Sequence, residues 1–202
     1  MISKLQLKLT ICILIVAFLL TQGCATSSPQ VDLPPTIERQ RIADLSLAIR
    51  SLSTDIDPAE AQRAARISIE YTRQLAVQYE IEDSPIMHNF LVNIGVKPRG
   101  LCVDWTSDLL VRLQQEHFYS LQLHWGIANY ENAFRIEHST VIISARGDSL
   151  DQGLVLDPWR QGGQLFWAPT LQDPAYRWHP QAEIHALKRQ QQTVSTNRPY
   201  NR

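Results

Sequence analysis

Apolar residues recur at helical spacing along the first half of the chain. Segments 37–53, 58–80 and 86–94 each carry apolar side chains three and four residues apart, which predicts three amphipathic helices. Asp57 and Ser84 precede the prolines that begin the second and third segments, an order typical of an N-cap followed by the first helical position. The first half of the chain is therefore predicted to be helical.

Further side chains refine the second and third helices. Glu60 lies three residues after Asp57, so the two residues are expected to form a capping box. Ile86, Phe90 and Ile94 are apolar positions at helical spacing in the third segment. Gly95 follows them and is predicted to end that helix.

A fourth helix is predicted directly after the turn signal at Pro98 and Gly100. Cys102 then falls in its first turn, where unpaired N–H groups and the positive end of the helix dipole lower the pKa of a thiol. A buried structural cysteine is the alternative interpretation. The apolar residues that mark this helix are Leu101, Trp105, Leu109, Leu110 and Leu113.

The periodicity changes after residue 120. Segment 121–127 alternates apolar and polar residues, and segments 137–145, 153–157 and 164–168 are short, largely apolar runs that end at a turn or a proline. These patterns predict four strands. Helices followed by strands are typical of an α+β fold, here N-terminal helices followed by an antiparallel sheet. Residues 186–202 are polar and are predicted to form a disordered tail.

The amino terminus has the pattern of an export signal. Lys4 and Lys8 supply positive charge ahead of an apolar run that ends at Leu20. This run is shorter than the roughly 20 residues that a membrane-spanning helix needs. Residues 1–23 are therefore predicted to be a cleaved signal peptide.

The signal ends at Gly23-Cys24-Ala25, which resembles the cleavage box of bacterial lipoproteins. The resemblance implies that Cys24 carries the lipid and contacts the membrane through it, with residues 24–35 as a proline-bearing tether. Thr21 departs from the pattern, since that family prefers leucine there. The residue after the cysteine, Ala25, implies the outer membrane, so the protein is expected in the cell envelope, facing the periplasm.

Net charge and chain length limit the classes of partner and the number of domains that we expect. The formal net charge is −1, and removal of the two signal lysines makes the remaining chain slightly more acidic. Such a chain gives no reason to expect nucleic acid as a partner. The length after the signal suits one domain. It is predicted over residues 36–185, with a helical part at 36–83 and a core at 84–180.

Cysteine usage makes Cys102 a candidate nucleophile. Cys12 leaves with the signal and Cys24 would carry lipid, so Cys102 would be the free thiol in a compartment where disulfides form readily. A thiolate nucleophile needs a base, and the base needs an orienting group. His138 lies near the start of the second predicted strand and Asp157 ends the third. Neighbouring antiparallel strands would place the two side chains about one strand spacing apart, close enough to pair if both face the same side.

Three short motifs in this order resemble the transglutaminase-like branch of the papain-like cysteine enzymes. They are Gly100-x-Cys102-x-Asp104 at a helix start, His138 at a strand start and Asp157 in an Asp-Pro-Trp sequence, spaced 36 and 19 residues apart from Cys to His and from His to Asp. The resemblance covers residues 85–170 approximately. It implies a papain-like core with the nucleophile at a helix N-terminus, Cys102 as nucleophile, His138 as base and Asp157 as orienter.

The resemblance also implies an activity. Members of that branch break or remake amide bonds through a thioester, so we expect a cysteine peptidase or amidase acting on a protein or peptide, with cell-wall peptide among the candidates. Hydrolysis and transfer to an amine both remain open. No cofactor and no metal are implied. The alternative is a catalytically inactive envelope lipoprotein that uses the same fold as a protein- or peptide-binding module.

The sequence also offers candidates for the groups that surround Cys102. The backbone N–H of Cys102 is the natural first donor of an oxyanion hole. Asp104 is expected to support the turn or cap the helix, and Trp159 to wall the cleft. Ser139 departs from the family pattern, because relatives often have an aromatic residue beside the histidine. The side chains considered for a second oxyanion donor are Asn93, His124 and Trp125.

Overall fold

Helices come first and strands follow in the computed structural model, which describes residues 34–196 and so leaves out residues 1–33, with the predicted signal and Cys24. The described residues belong to one compact unit. The helices are α1 (Pro35–Arg50), α2 (Pro58–Gln78), α3 (Pro85–Asn93), α4 (Cys102–Gln114) and α5 (Gln181–Thr196). The strands are β1 (Leu121–Ala128), β2 (His138–Ala145), β3 (Leu154–Asp157), β4 (Phe166–Pro169) and β5 (His179–Pro180). The predicted α+β class is confirmed.

The five strands form one antiparallel sheet in the order β4-β3-β2-β1-β5. β1 and β2 pair along their whole length, from Leu121 opposite Ala145 to Ala128 opposite His138. The four predicted strands lie within two residues of their observed bounds. The two-residue strand β5 carries no alternation of its own, so the residue pattern does not predict it.

Helices α1, α2 and α4 form a layer over one face of the sheet. α4 packs against β2 and β1, α2 packs against α4, and α1 packs against α2. Val141 and Ile143 of β2 face this helical layer, whereas Ile142 faces the other side and packs with Trp178. The shared core includes Leu45, Ile49, Ala64, Leu109, Leu113, Val141, Ile143 and Leu156, all fully buried.

The start of α2 is tied to the start of β1 by a buried carboxylate. Asp57 caps α2 as predicted, with its Oδ1 accepting from the backbone N–H groups of Ala59 and Glu60. Glu60 does not complete the capping box. Its carboxylate accepts instead from the N–H of Tyr119 and from the N–H and hydroxyl of Ser120, at 2.5–2.8 Å.

Helix α3 buries polar side chains and exposes apolar ones. Ile86, Phe90 and Ile94 are each more than half exposed, while His88 and Asn89 are buried. These two polar side chains hydrogen-bond partners inside the protein, the carbonyl of Arg99 and the indole of Trp159. Specific hydrogen bonds therefore determine the orientation of this short helix.

The chain differs from the predicted disordered tail at residues 186–196, which form most of α5. Ile184 in its first turn is 1% exposed, and the helix packs against β1 and β5. Lys188 also forms an ion pair with Glu137. The buried side chain of Ile184 and the ion pair of Lys188 therefore attach this largely polar helix to the rest of the domain. Residues 197–202 lie outside the described part of the chain.

No helix in the described residues is long and apolar enough to cross a lipid bilayer.

Candidate active site

Cys102 is the first residue of α4 and is partly exposed. Gly100 before it has a φ of +122°, a conformation that L side chains rarely adopt. A Cβ at Gly100 would lie 2.3 Å from Nε2 of His88, so only glycine fits this turn. The backbone conformation at Gly100 therefore places the Cys102 thiol at the N-terminus of α4, where unpaired N–H groups and the helix dipole favour an anion.

Two side chains of α4 stabilise the turn before Cys102 by hydrogen bonds to its backbone. Oδ2 of Asp104 accepts from the N–H groups of Gly100 and Leu101, both at 3.0 Å. The indole N–H of Trp105 donates to the carbonyl of Gly100 at 3.0 Å. Asp104 thus supports the active-site turn and caps the helix start.

His138 and Asp157 form a buried hydrogen-bonded pair. Their Nε2 and Oδ2 atoms are 2.7 Å apart, and the side chains are 2% and 0% exposed. Pairing of Ile142 with Val155 puts His138 and Asp157 on the same sheet face, since side chains alternate along both strands. Because an ionised carboxylate only accepts hydrogen bonds, Nε2 carries a proton and Nδ1 is free to take another.

The thiol lies at the start of β2, beside the imidazole. Sγ of Cys102 is 3.7 Å from the carbonyl oxygen of Glu137, the residue before His138. Nδ1 of His138 is buried and has no hydrogen-bond partner among the described residues, and the Cys102 side chain lies close enough to this ring to shift its pKa. The imidazole therefore has the Cys102 thiol beside it and the Asp157 carboxylate bonded to it, a set of three groups that we call the row.

Electrostatics favour a thiolate–imidazolium pair in this row. Burial acts to raise the pKa of the Cys102 thiol, but His138 and the N–H and hydroxyl of Ser139 outweigh it, so the pKa is lowered. Burial acts to lower the pKa of His138, but Asp157 and Cys102 outweigh it and raise the pKa to about 9. The two shifts have the signs that proton transfer from sulfur to nitrogen requires.

Aromatic rings enclose the imidazole. The ring centroids of Trp159, Tyr176 and Trp178 lie 4.7, 4.6 and 5.4 Å from that of His138. The indole N–H of Trp159 donates to Oδ1 of Asn89 at 3.0 Å. Trp159 therefore packs on the imidazole, and its indole N–H is already engaged with Asn89.

The oxyanion candidates differ in what they can offer. The N–H of Cys102 belongs to the first turn of α4, where backbone donors have no partner within the helix. Nε2 of His124 is engaged with the Ser144 hydroxyl at 2.7 Å. Nε1 of Trp125 is buried and has no hydrogen-bond partner among the described residues. Asn93 is exposed at the end of α3.

Several residues of this site carry no sequence signal that would have identified them. Arg160 donates to the carboxylate of Asp157, and Asp173 pairs with that arginine. Tyr176 packs on the His138 ring, and Ser139 acts on the pKa of the Cys102 thiol. Arg160 follows the Asp-Pro-Trp sequence directly, which is the one hint that the chain itself offers. Ser139 follows His138 on β2, whereas Asp173 and Tyr176 reach the site through a loop whose course the residue pattern does not predict.

The site combines a partly exposed thiol with a buried imidazole that is paired with a carboxylate. The described residues hold no group of three or more His, Cys, Asp or Glu side chains arranged to bind a metal. Comparison of the chain with models of protein families, with curated proteins and with solved structures finds no match. The case for a function therefore rests on the geometry of the site.

Proposed function

We propose that the protein is a transglutaminase-like cysteine peptidase or amidase that transfers acyl groups through a thioester on Cys102. The observation that carries the proposal is the row formed by the Cys102 thiol, the His138 imidazole and the Asp157 carboxylate. His138 and Asp157 are joined at 2.7 Å, and the thiol is partly exposed at a helix N-terminus. The protein needs no cofactor for this chemistry.

The roles follow from the protonation states. Cys102 gives its proton to Nδ1 of His138, and Sγ attacks the carbonyl carbon of an amide. The oxyanion that forms is stabilised by the N–H of Cys102 and the N-terminus of α4. His138 then protonates the leaving amine as the C–N bond breaks, leaving a thioester. A water or an amine attacks this thioester, and His138 takes the proton of the attacking group.

Asp157 holds the imidazole in the tautomer that leaves Nδ1 facing the sulfur, and its charge stabilises the imidazolium. A helix-first, strand-later order with the nucleophile at a helix start is consistent with the papain-like core that we propose for this α+β fold. Protein or peptide is the proposed substrate class, cell-wall peptide included.

Acylation by an activated ester tests the proposal. Cys102 is the remaining thiol in the full chain when Cys12 and Cys24 are both replaced by alanine. We expect p-nitrophenyl acetate to acylate it with release of nitrophenolate, and intact mass spectrometry to locate the acetyl group on Cys102. His138→Ala is expected to slow acylation at pH 7 at least tenfold.

His124→Ala is the matched control, because His124 lies on the same sheet but is bonded to Ser144, away from the thiol. It should acylate at the parent rate. If His138→Ala also acylates at the parent rate, the enzyme proposal is wrong, and the alternative of a protein- or peptide-binding module with an inert thiol would replace it.

We further propose export and lipid attachment at Cys24, which would hold the domain on the periplasmic side of the outer membrane. The proposal is supported by the sequence of residues 1–25 alone. Labelling of cells with a palmitate analogue is expected to mark the wild-type protein and not the Cys24→Ala variant. Equal labelling of the two would contradict it.

A further inference from the structure

Arg160 lies next to the Asp157 carboxylate that orients the base. Its Nε donates to Oδ2 of Asp157 at 3.1 Å, and its backbone N–H donates to Oδ1 at 3.2 Å. Oδ2 is the same oxygen that accepts from Nε2 of His138. Both oxygens of a fully buried carboxylate are thus engaged, so the carboxylate has one available orientation.

The same guanidinium is shared with a second buried carboxylate. Nη1 and Nη2 of Arg160 donate to the two oxygens of Asp173 at 3.0 and 2.8 Å, in the two-pronged geometry that suits arginine and carboxylate. The Asp173 side chain is 0% exposed. It also accepts from the N–H of Ala175 and the indole of Trp178, both at 2.9 Å.

Aromatic faces hold the guanidinium in place between the two acids. Its central carbon lies 3.9 Å from the ring centroid of Phe166 and 4.7 Å from that of Tyr176. Tyr176 and Trp178, which contact this arginine and its partner acid, also pack on the His138 ring. The Arg160 side chain is 16% exposed, so its charge is largely shielded from water.

We propose that Arg160 and Asp173 are positioning residues of the candidate active site: Arg160 fixes the Asp157 carboxylate, and Asp173 balances the Arg160 charge so that Asp157 still stabilises a protonated His138. This inference rests on the proposed function, since it concerns the base of that mechanism. It adds two residues that act through Asp157 and touch neither the thiol nor a substrate.

The charge balance explains why two acids are needed. A buried arginine beside Asp157 alone would offset the negative charge that supports the imidazolium. With Asp173 present, the three groups Asp157, Arg160 and Asp173 together keep one negative charge. Burial acts to raise the pKa of Asp173, but Arg160, Ala175 and Trp178 outweigh it and lower the pKa, so Asp173 supplies that charge at neutral pH.

The other ionisable groups near His138 are few. Cys102 faces it from α4, and Tyr176 stacks on it with Arg135 above the tyrosine ring at 5.5 Å. Glu137 on the preceding position is paired with Lys188 of α5. Substitution of Asp173 or Arg160 alters none of these groups chemically, so their charges are the same in every variant compared.

Titration of His138 by imidazole NMR tests the inference in the full chain carrying Cys102→Ala, which removes the coupled thiol. Asp173→Asn keeps the shape of the side chain and removes its charge. It is expected to lower the pKa of His138 by roughly 0.5–1 unit, because Arg160 is then opposed by Asp157 alone. Adding Arg160→Gln removes the excess positive charge and is expected to restore the parent pKa.

Glu116→Gln is the matched control, since Glu116 pairs with Arg112 at the far end of α4. It should leave the His138 titration unchanged. Restoration by the double variant is the outcome that a purely structural role would not give. If Asp173→Asn does not fold but the double variant does, charge balance is again supported.

No shift in Asp173→Asn, an equal shift in the single and double variants, or failure of both to fold would overturn the inference. The readout does not depend on acylation of Cys102. A negative result here with normal acylation would therefore reject the positioning role alone, and normal titration with no acylation would reject the proposed function alone.

Discussion

His88 on α3 and His138 on β2 are the two buried histidines of the described chain, 1% and 2% exposed. In both, Nε2 is hydrogen-bonded and Nδ1 is buried with no hydrogen-bond partner among the described residues. The two rings differ in the partner of Nε2. In His88 it is the backbone carbonyl of Arg99, at 2.9 Å, and in His138 it is the carboxylate of Asp157.

The partner determines what each ring can do. A carbonyl orients an imidazole without adding a charge, whereas a carboxylate also stabilises the protonated ring. His88 lies behind the Gly100 turn and shapes the backbone that presents Cys102. His138 lies beside the thiol, and in the proposed function it takes the proton of that thiol. The two buried rings thus lie near the same cysteine, and the proposal assigns a packing role to His88 and proton transfer to His138.

Gly100→Ala should have the largest effect on stability, because Gly100 lies against His88 and precedes the helix start that presents Cys102 to His138. Its Cβ would lie 2.3 Å from Nε2 of His88 at a φ of +122°. Overpacking and backbone strain together are expected to lower the free energy of unfolding by about 3–5 kcal/mol. Gly95→Ala is the control, since φ is +78° and no atom lies within 4 Å, and its cost should be about 1–2 kcal/mol. Urea unfolding measures both, and equal costs would contradict the packing role of His88.

His88→Ala should lower the stability of the fold without changing the pH dependence of Cys102 alkylation. Loss of a buried hydrogen bond and of packing behind the turn is expected to cost about 2–3 kcal/mol in the free energy of unfolding. The pH midpoint of Cys102 alkylation should stay at the wild-type value, whereas His138→Ala should move it towards the ordinary thiol pKa of about 8.5. Equal movement in both variants would remove the distinction between the two histidines.

Asp157→Asn makes the partner of His138 neutral, as the partner of His88 already is. The imidazolium then loses its counter-charge, and iodoacetamide alkylation of Cys102 at pH 6.5 is expected to fall about tenfold. Circular dichroism verifies that the variant is folded. An unchanged alkylation rate in a folded variant would show that the carboxylate only orients the ring.

The smallest effect is a pH dependence of stability in Cys102→Ala, where His138 titrates without the thiol. Asp157 raises the pKa of His138 above its unfolded value of about 6.5. The folded state thus binds the proton more tightly, so this stabilisation is complete below pH 6.5 and is lost as pH rises through the folded pKa. We expect a loss on the order of 1 kcal/mol between pH 6 and pH 9, measured by urea unfolding. Adding Asp157→Asn should reduce that loss, and an equal loss with Asp157→Asn present would assign it to another group.

The sequence predicts the His138 region better than the His88 region. Cys102 at a helix start, His138 at a strand start and Asp157 at a strand end each follow from local signals, and antiparallel pairing of β2 with β3 puts the last two on one face. Those signals concern the chain within a few residues of each position. Local pattern is therefore sufficient for this part of the site.

Long-range hydrogen bonds account for what the sequence does not predict. The apolar positions of α3 face outward because His88 and Asn89 find partners in Arg99 and Trp159, and the short helix contributes little burial to oppose this. Asp173 reaches Arg160 across a loop that has no periodicity. No propensity or spacing encodes such pairings.

The ionisation of Cys102 is the most direct test of the central claim that sulfur, imidazole and carboxylate work as one row. Thiolate absorbance is followed against pH in the full chain with Cys12→Ala and Cys24→Ala, with and without His138→Ala. The account predicts that the thiolate forms at a lower pH in the parent chain than in His138→Ala, because His138 lowers the pKa of the thiol. Thiolate that forms only near pH 8.5 in the parent chain, or equally in both chains, would contradict the account.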